Sequence, residues 1–285
     1  MAVSEKIELL GKGLYKDIPS VLTLKSLPTA SELDYVGGED FQATLLNKIF
    51  PKVVEEKIDF KQLLEIDFHW ICRCLRILTY GPYYTVNNIF CPDCQVVSGE
   101  YQVDLRAVDV KQFPEGFSGT AVIKADEFID FNGDIELKLP TIQDTMNAAK
   151  DSMFIDENGD LDREFARICY SIKSIKGNSK LSIPEIKFEI QTKLSAADYY
   201  ILKTLGTERT DFGLRAGGRT VCPQCHNKEA GFVALVDDRF FRPTMGDLRA
   251  WKADRLAKAA DQPANGVGES RGRVENIPGA APRVI

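Results

Sequence analysis

The sequence predicts an α+β fold, a small antiparallel sheet packed with several amphipathic helices. Three observations predict it. Stretches before and after the middle of the chain repeat apolar residues at helical spacing. The middle alternates apolar and polar residues between turn signals. Two Cys-Pro-x-Cys elements, CPDC at 91–94 and CPQC at 222–225, sit beside strand-like segments. With 285 residues, 44% of them hydrophobic, the chain can bury a substantial core.

Residues 1–38 are broken by Gly11, Gly13, Pro19, Pro28, Gly37 and Gly38 and predict an extended arm, in which SVLTLKSL can form an edge strand. From 39 to 50, Phe41, Leu45, Leu46 and Ile49 recur at helical spacing, and Pro51 predicts the stop. A stronger helix is expected from 59 to 79. Its wide apolar face is Phe60, Leu63, Leu64, Trp70, Ile71, Leu75 and Leu78, with Gly81-Pro82 just beyond its end.

The aromatic segment YYTVNNIF leads into CPDC. The following EYQVDLRAVDV alternates Tyr101, Val103, Leu105 and Ala107 with polar neighbours, which is strand patterning behind a turn. GTAVIKA and DIELKLPTI, the second approached by the turn signal Asn132-Gly133, add strands to the same small sheet. Helical patterns return in TIQDTMNAAKDSM and in DREFARICYSIKSI, where Phe165, Ile168, Cys169 and Ile172 share a face. A further pattern, SIPEIKFEIQTKLSAADYYILKTLG, is interrupted around 194–197. CPQC follows a Gly-rich connector, GLRAGG, and precedes the strand-like AGFVALV. The expected organisation is an arm at 1–38 and a core at 39–245 with a helical insertion at about 141–210. Residues 246–285 follow as a charged helix, GDLRAWKADRLAKAA, and a flexible tail without core-forming pattern.

The net charge of -6 and the thin basic clusters, of which KSIKGNSK is the densest, argue against nucleic-acid binding. No apolar run approaches the roughly 18 residues of a membrane helix, and the first residues, MAVSEKIELLGKG, lack a basic leader with an apolar core. A cytosolic protein with no membrane association is expected. Seven cysteines, an odd number, do not make a complete disulfide framework.

Thiolates at i and i+3 in a tight turn place two sulfurs on one side of a tetrahedron, and two such turns complete a shell for zinc. Cys91, Cys94, Cys222 and Cys225 are therefore the expected ligands of one structural Zn2+. The 128 positions between Cys94 and Cys222 demand that the inserted region fold back on itself. Two unrelated turns with reduced cysteines, or a redox dithiol in one pair, are the competing readings. The second needs only one pair and a βαβ setting that the pattern lacks. His226, beside Cys225, can stand in for a ligand but reads better as a neighbour. A closed four-thiolate shell leaves no coordination position for water, so its contribution is to folding. Cys169 and one of Cys72 and Cys74 read as buried small hydrophobes.

Signatures of catalysis fail. There are two histidines, and His69 in DFHWICRC reads as a core or boundary residue. DENGDLDREF resembles a calcium loop only superficially, because Leu161 occupies the position that needs glycine; Asp162 reads as a helix cap instead. GKG at 11–13 lacks the rest of a phosphate-binding loop, and no G-x-S-x-G is present. A non-enzymatic protein is expected.

LRILTYGPYY followed at once by CPDC and YQVDLRAVDV, a late CPQC, DDRFFRP before a charged helix, and the early GKGLYKDIPSVLTLKSLP together resemble the baseplate hub and hub-assembly proteins of T4-type contractile-tailed bacteriophages. The resemblance covers about 11–250. It implies a virus-assembly role through contacts with other phage tail or baseplate proteins, in the host cytoplasm and, if retained in the virion, at the tail baseplate. The alternative is a zinc-knuckle nucleic-acid-binding or transcription-associated protein, against which the acidic total stands.

Overall fold

In the computed structural model, residues 3–28, 41–156, 158–234, 236 and 239–260 are described. The fold is α+β, with three antiparallel sheets. Strands β1 (Ser4–Glu8) and β2 (Val21–Lys25) pair along their whole length, from Ser4 opposite Lys25 to Glu8 opposite Val21. The segment expected as an arm is thus a hairpin over its described part. Ile7, Leu9, Leu22 and Leu24 alternate inward and are buried in the main core. Gly11 explains why the turn region is rich in glycine: a Cβ there would lie 2.6 Å from Asp67 Oδ2.

The next helix does not stop at Pro51. Helix α1 (Phe41–Thr44) widens into a π-helical turn, Leu45–Ile49, and continues as α2 (Phe50–Val53), so the widened turn falls just before Pro51, which has no N–H to donate. The long helix expected from 59 to 79 is a 3-10 turn, Phe60–Gln62, then extended backbone at Leu63 and Leu64, then α3 (Glu65–Tyr80). Phe68, Ile71, Cys72 and Leu75 bury one face of α3, where the Phe68 ring lies 5.5 Å from Phe50. Phe68, Ile71 and Leu75 each contribute about 1.5–3 kcal/mol of burial.

The main sheet has the order β4-β3-β10-β9-β5, from β3 (Tyr83–Cys91), β4 (Gln95–Asp104), β5 (Val108–Lys111), β9 (Gly213–Thr220) and β10 (Ala230–Val233). The chain leaves this sheet after β5 and returns to it in β9 beside the point of departure, with Lys111 opposite Gly213. Three rings close this neck: Phe113 stacks on Phe117 at 5.1 Å, and Phe212 lies 4.9 and 5.0 Å from them.

What lies between is larger and more mixed than the helical insertion expected at about 141–210. Strands β6 (Thr120–Ile123), β7 (Ile135–Lys138) and β8 (Ile172–Ile175) form a sheet of their own, not an extension of the main one. Helices α4 (Ile142–Ala148), α5 (Arg163–Ser171), α6 (Ile183–Lys193) and α7 (Ala196–Thr210) accompany it, and residues from this sheet and all four helices make a second hydrophobic cluster. Helix α5 ends at Ser171, so Ile172 belongs to a strand rather than to the helical face the sequence pattern continued. The break between α6 and α7 falls at Leu194 and Ser195, where the Ser195 hydroxyl accepts from Asp198 N. The charged helix expected after 246 is α8 (Met245–Ala260); the tail from 261 lies outside the described residues. Among the described residues no helix is long and apolar enough to cross a membrane.

Candidate metal centre

Sheet register brings the two knuckles together. The first is the tip of the β3–β4 hairpin, closed by the pair Cys91 and Gln95. The second is the loop after Thr220 and before Ala230, the last pair of β9 and β10. Because β10 lies beside β3, with Gly231 opposite Phe90, both loops emerge at the same end of the sheet. The four sulfurs of Cys91, Cys94, Cys222 and Cys225 lie within 4.8 Å of one another. Cys91 Sγ is 3.5 Å from Cys225 Sγ, and Cys94 Sγ is 4.0 Å from Cys222 Sγ. Four sulfurs about 2.3 Å from a tetrahedral centre are roughly 3.8 Å apart, so this set fits the shell of a four-coordinate ion. The four cysteines can hold a metal ion.

The two knuckles share their backbone solution. The residue after each second cysteine is left-handed, Gln95 and His226 each at φ 61°. For non-glycine residues this conformation persists only where surrounding contacts hold it. In the second knuckle those contacts are explicit: Cys222 N donates to Asn227 O at 2.9 Å, and His226 N donates to Cys222 O at 3.0 Å. Cys91 and Cys222 are buried, Cys94 is half-buried and Cys225 exposed, so the centre sits at the surface with its inner ligands in the core.

Electrostatics within the group are uneven. Backbone N–H groups of Cys225 and Gln224 pull the Cys222 thiol down to about 7, whereas hydrogen bonding with Cys225 pushes Cys94 up to about 12. A cation at the centre of the cluster favours the thiolate at all four. Outside the sulfurs, Asn227 Nδ2 donates to Asp93 Oδ2 at 2.7 Å, tying one knuckle to the other, while Asn227 Oδ1 accepts from Glu229 N at 2.7 Å. Sequence reasoning did not single out Asp93 or Asn227; neither residue belongs to the ligand spacing that marks the cysteines.

The remaining candidates fall elsewhere. His226 is exposed and stands outside the four-sulfur group among the described residues. Cys72 and Cys169 are fully buried, and burial pushes their thiols up, Cys169 to about 12; Cys74 is half-buried and also raised to about 12, first by burial. These are protonated, inert positions. His69 is half-buried, and burial lowers its pKa. In the calcium-like stretch, Asp156 accepts from Asn158 N and Asp160 N to make a turn, and Asp162 caps α5 through Phe165 N.

Three buried aspartates that carried no motif organise the rest of the molecule. Asp67 accepts from Leu10 N, Gly11 N and the Tyr15 hydroxyl, anchoring the GKGLY segment to α3. Asp198 accepts from the backbone of Ile129, Asp130 and Phe131. Asp247 faces Arg76 and accepts from Thr85 Oγ1 at 2.7 Å. Compared with protein-family models, with curated proteins and with solved structures, the chain gives no match.

Proposed function

We propose that the cysteine centre holds Zn2+ as a structural clamp and that the protein is a non-enzymatic structural or assembly component of a phage tail baseplate hub, working through contacts with other tail proteins. One observation carries the zinc reading: four thiols from knuckles 128 positions apart meet in tetrahedral spacing with no further ligand group among the described residues. Such a shell is closed, so the ion serves to lock the β3–β4 tip to the β9–β10 loop.

The segments that resemble hub proteins supply the partner class, and three of them are anchored on α3. Arg76, within LRILTYGPYY, donates to Gly81 O, Tyr83 O and, across the chain, to Phe240 O in DDRFFRP. GKGLY is held by Asp67 one helical stretch earlier. A chain of net charge -6 suits protein contacts better than phosphate backbones.

Co-expression with baseplate and tail proteins of a T4-type contractile-tailed phage tests this reading. A defined complex that survives moderate salt supports it. Salt-sensitive retention on DNA or RNA, with no tail-protein complex, contradicts it.

A further inference from the structure

Two arginines three residues apart on α3 are buried in different ways. Arg76 is 0% exposed and saturated, with three backbone carbonyls and Asp247 around its guanidinium. Arg73 is 8% exposed, and only its Nε is used, donating to Leu105 O at 2.8 Å. Its guanidinium carbon stands 4.9 Å from the Trp70 ring centroid, within cation–π range. Among the described residues no carboxylate lies within ion-pair distance of it, Asp104 acting on it only through its charge, and no acceptor meets its Nη groups. A buried guanidinium with most of its five N–H donors unpaired is costly and calls for a partner.

Arg73 lines a pocket of about 530 Å³ between α3 and the stretch formed by β1 and the turn after it. Trp70, Cys74 and Ile77 form one wall, with Lys6, Arg106 and Gln112 among the other residues that line it. The acids beside it have other partners or form no ion pair with Arg73: Glu8 pairs with Lys12 at 2.9 Å, Asp104 pairs with Arg106 at 2.5 Å and acts on Arg73 only through its charge, and Glu5 makes no ion pair with Arg73. Burial also lowers the Arg73 pKa, which a bound anion would reverse.

We propose that this pocket is a binding site for a carboxylate, taken bidentately by the two Nη groups of Arg73. A planar fork matches a carboxylate in geometry, and a single unpaired guanidinium flanked by Glu5 and Glu8 suits a monoanion better than a phosphate dianion. The carboxylate comes either from an acidic side chain of a protein partner or from a small organic acid. The site shares no residue with the cysteine centre, so its failure would leave the metal reading untouched.

The chain has two tryptophans, Trp70 and Trp251, so the indole N–H region of a ¹⁵N spectrum of the full chain offers one reporter beside the site and one reference. Titration with sodium acetate at constant ionic strength should shift the Trp70 signal saturably and leave Trp251 in place, with chloride inactive and inorganic phosphate weaker. Arg73→Lys keeps the charge but loses the fork, and should weaken acetate binding roughly tenfold or more with the rest of the spectrum unchanged. A capped peptide bearing one glutamate that binds about tenfold tighter than acetate assigns the site to a protein side chain; equal affinity assigns it to a small acid. An unsaturable response, an equal response to chloride, or undiminished binding in a folded Arg73→Lys protein would overturn the proposal. The wild-type titration decides the matter by itself if that variant does not fold.

Discussion

Asp93 and Asn227 are 134 positions apart in the chain, yet their side chains share a hydrogen bond of 2.7 Å. Asp93 Oδ2 also lies 3.9 Å from Cys225 Sγ, so the bond braces the most exposed ligand of the cysteine group. Groups that orient ligands from outside the coordination sphere commonly contribute about 10–100-fold to metal affinity. Asp93→Ala should therefore bind zinc about tenfold more weakly in a chelator competition, while its circular dichroism stays that of the wild type.

Loss of a ligand has a larger effect. Cys91→Ser and Cys225→Ser should each release the metal and leave the protein protease-sensitive, with Cys91→Ser the worse because that side chain is 4% exposed. His226→Ala should keep its metal. The side chain is exposed and both residues meet the same left-handed backbone, φ 61°, so the stability change should stay within about 0.5 kcal/mol. Limited proteolysis alongside metal analysis separates the three variants.

The docking of α8 rests on Arg76 and Asp247, whose side chains are 0% and 2% exposed and stand 3.5 Å apart. Asp247 also accepts from Thr244 N and Thr85 Oγ1, so an amide in its place leaves a buried guanidinium without its counter-charge and turns an NH2 toward a donor. Asp247→Asn should lower stability by about 3 kcal/mol in urea unfolding. A loss below about 1 kcal/mol would show that the pair is dispensable.

In the inserted unit, Arg209 of α7 grips the Glu127 carboxylate, which lowers the glutamate from its ordinary 4.5 to about 2. A carboxylate whose pKa is depressed on folding adds stability above its unfolded pKa, and that stability is lost as pH falls through the folded value. The wild type should therefore lose stability as pH drops from 4.5 toward 2. Glu127→Gln should show a shallower slope across that window in acid titrations followed by circular dichroism.

How much of this was legible depends on what each residue type is asked to do. The cysteines were readable because ligation fixes their spacing, and the α6–α7 break because Ser195 and Asp198 carry a capping signal in the sequence. Strand β9 was hidden by its glycines, which ordinarily weaken strands. The close backbone approach shows why they are there: a Cβ on Gly217 would lie 1.9 Å from Phe232 O. Strand β8 was hidden because Ile172 continues the helical spacing of α5. The π turn before Pro51 and the inward alternation of Ile7, Leu9, Leu22 and Leu24 were outweighed by proline and glycine signals. The buried aspartates and Arg76 were invisible because each has a partner far away in sequence, such as Leu10 N for Asp67, Ile129 N for Asp198 and Phe240 O for Arg76, which no local pattern records.

X-ray absorption at the zinc edge of the purified, zinc-loaded chain addresses the central claim most directly. The account predicts about one zinc per chain with four sulfur neighbours at about 2.3 Å and no nitrogen or oxygen in the first shell. A shell containing nitrogen or oxygen, fewer than four sulfurs, or a chain that holds no zinc would contradict it.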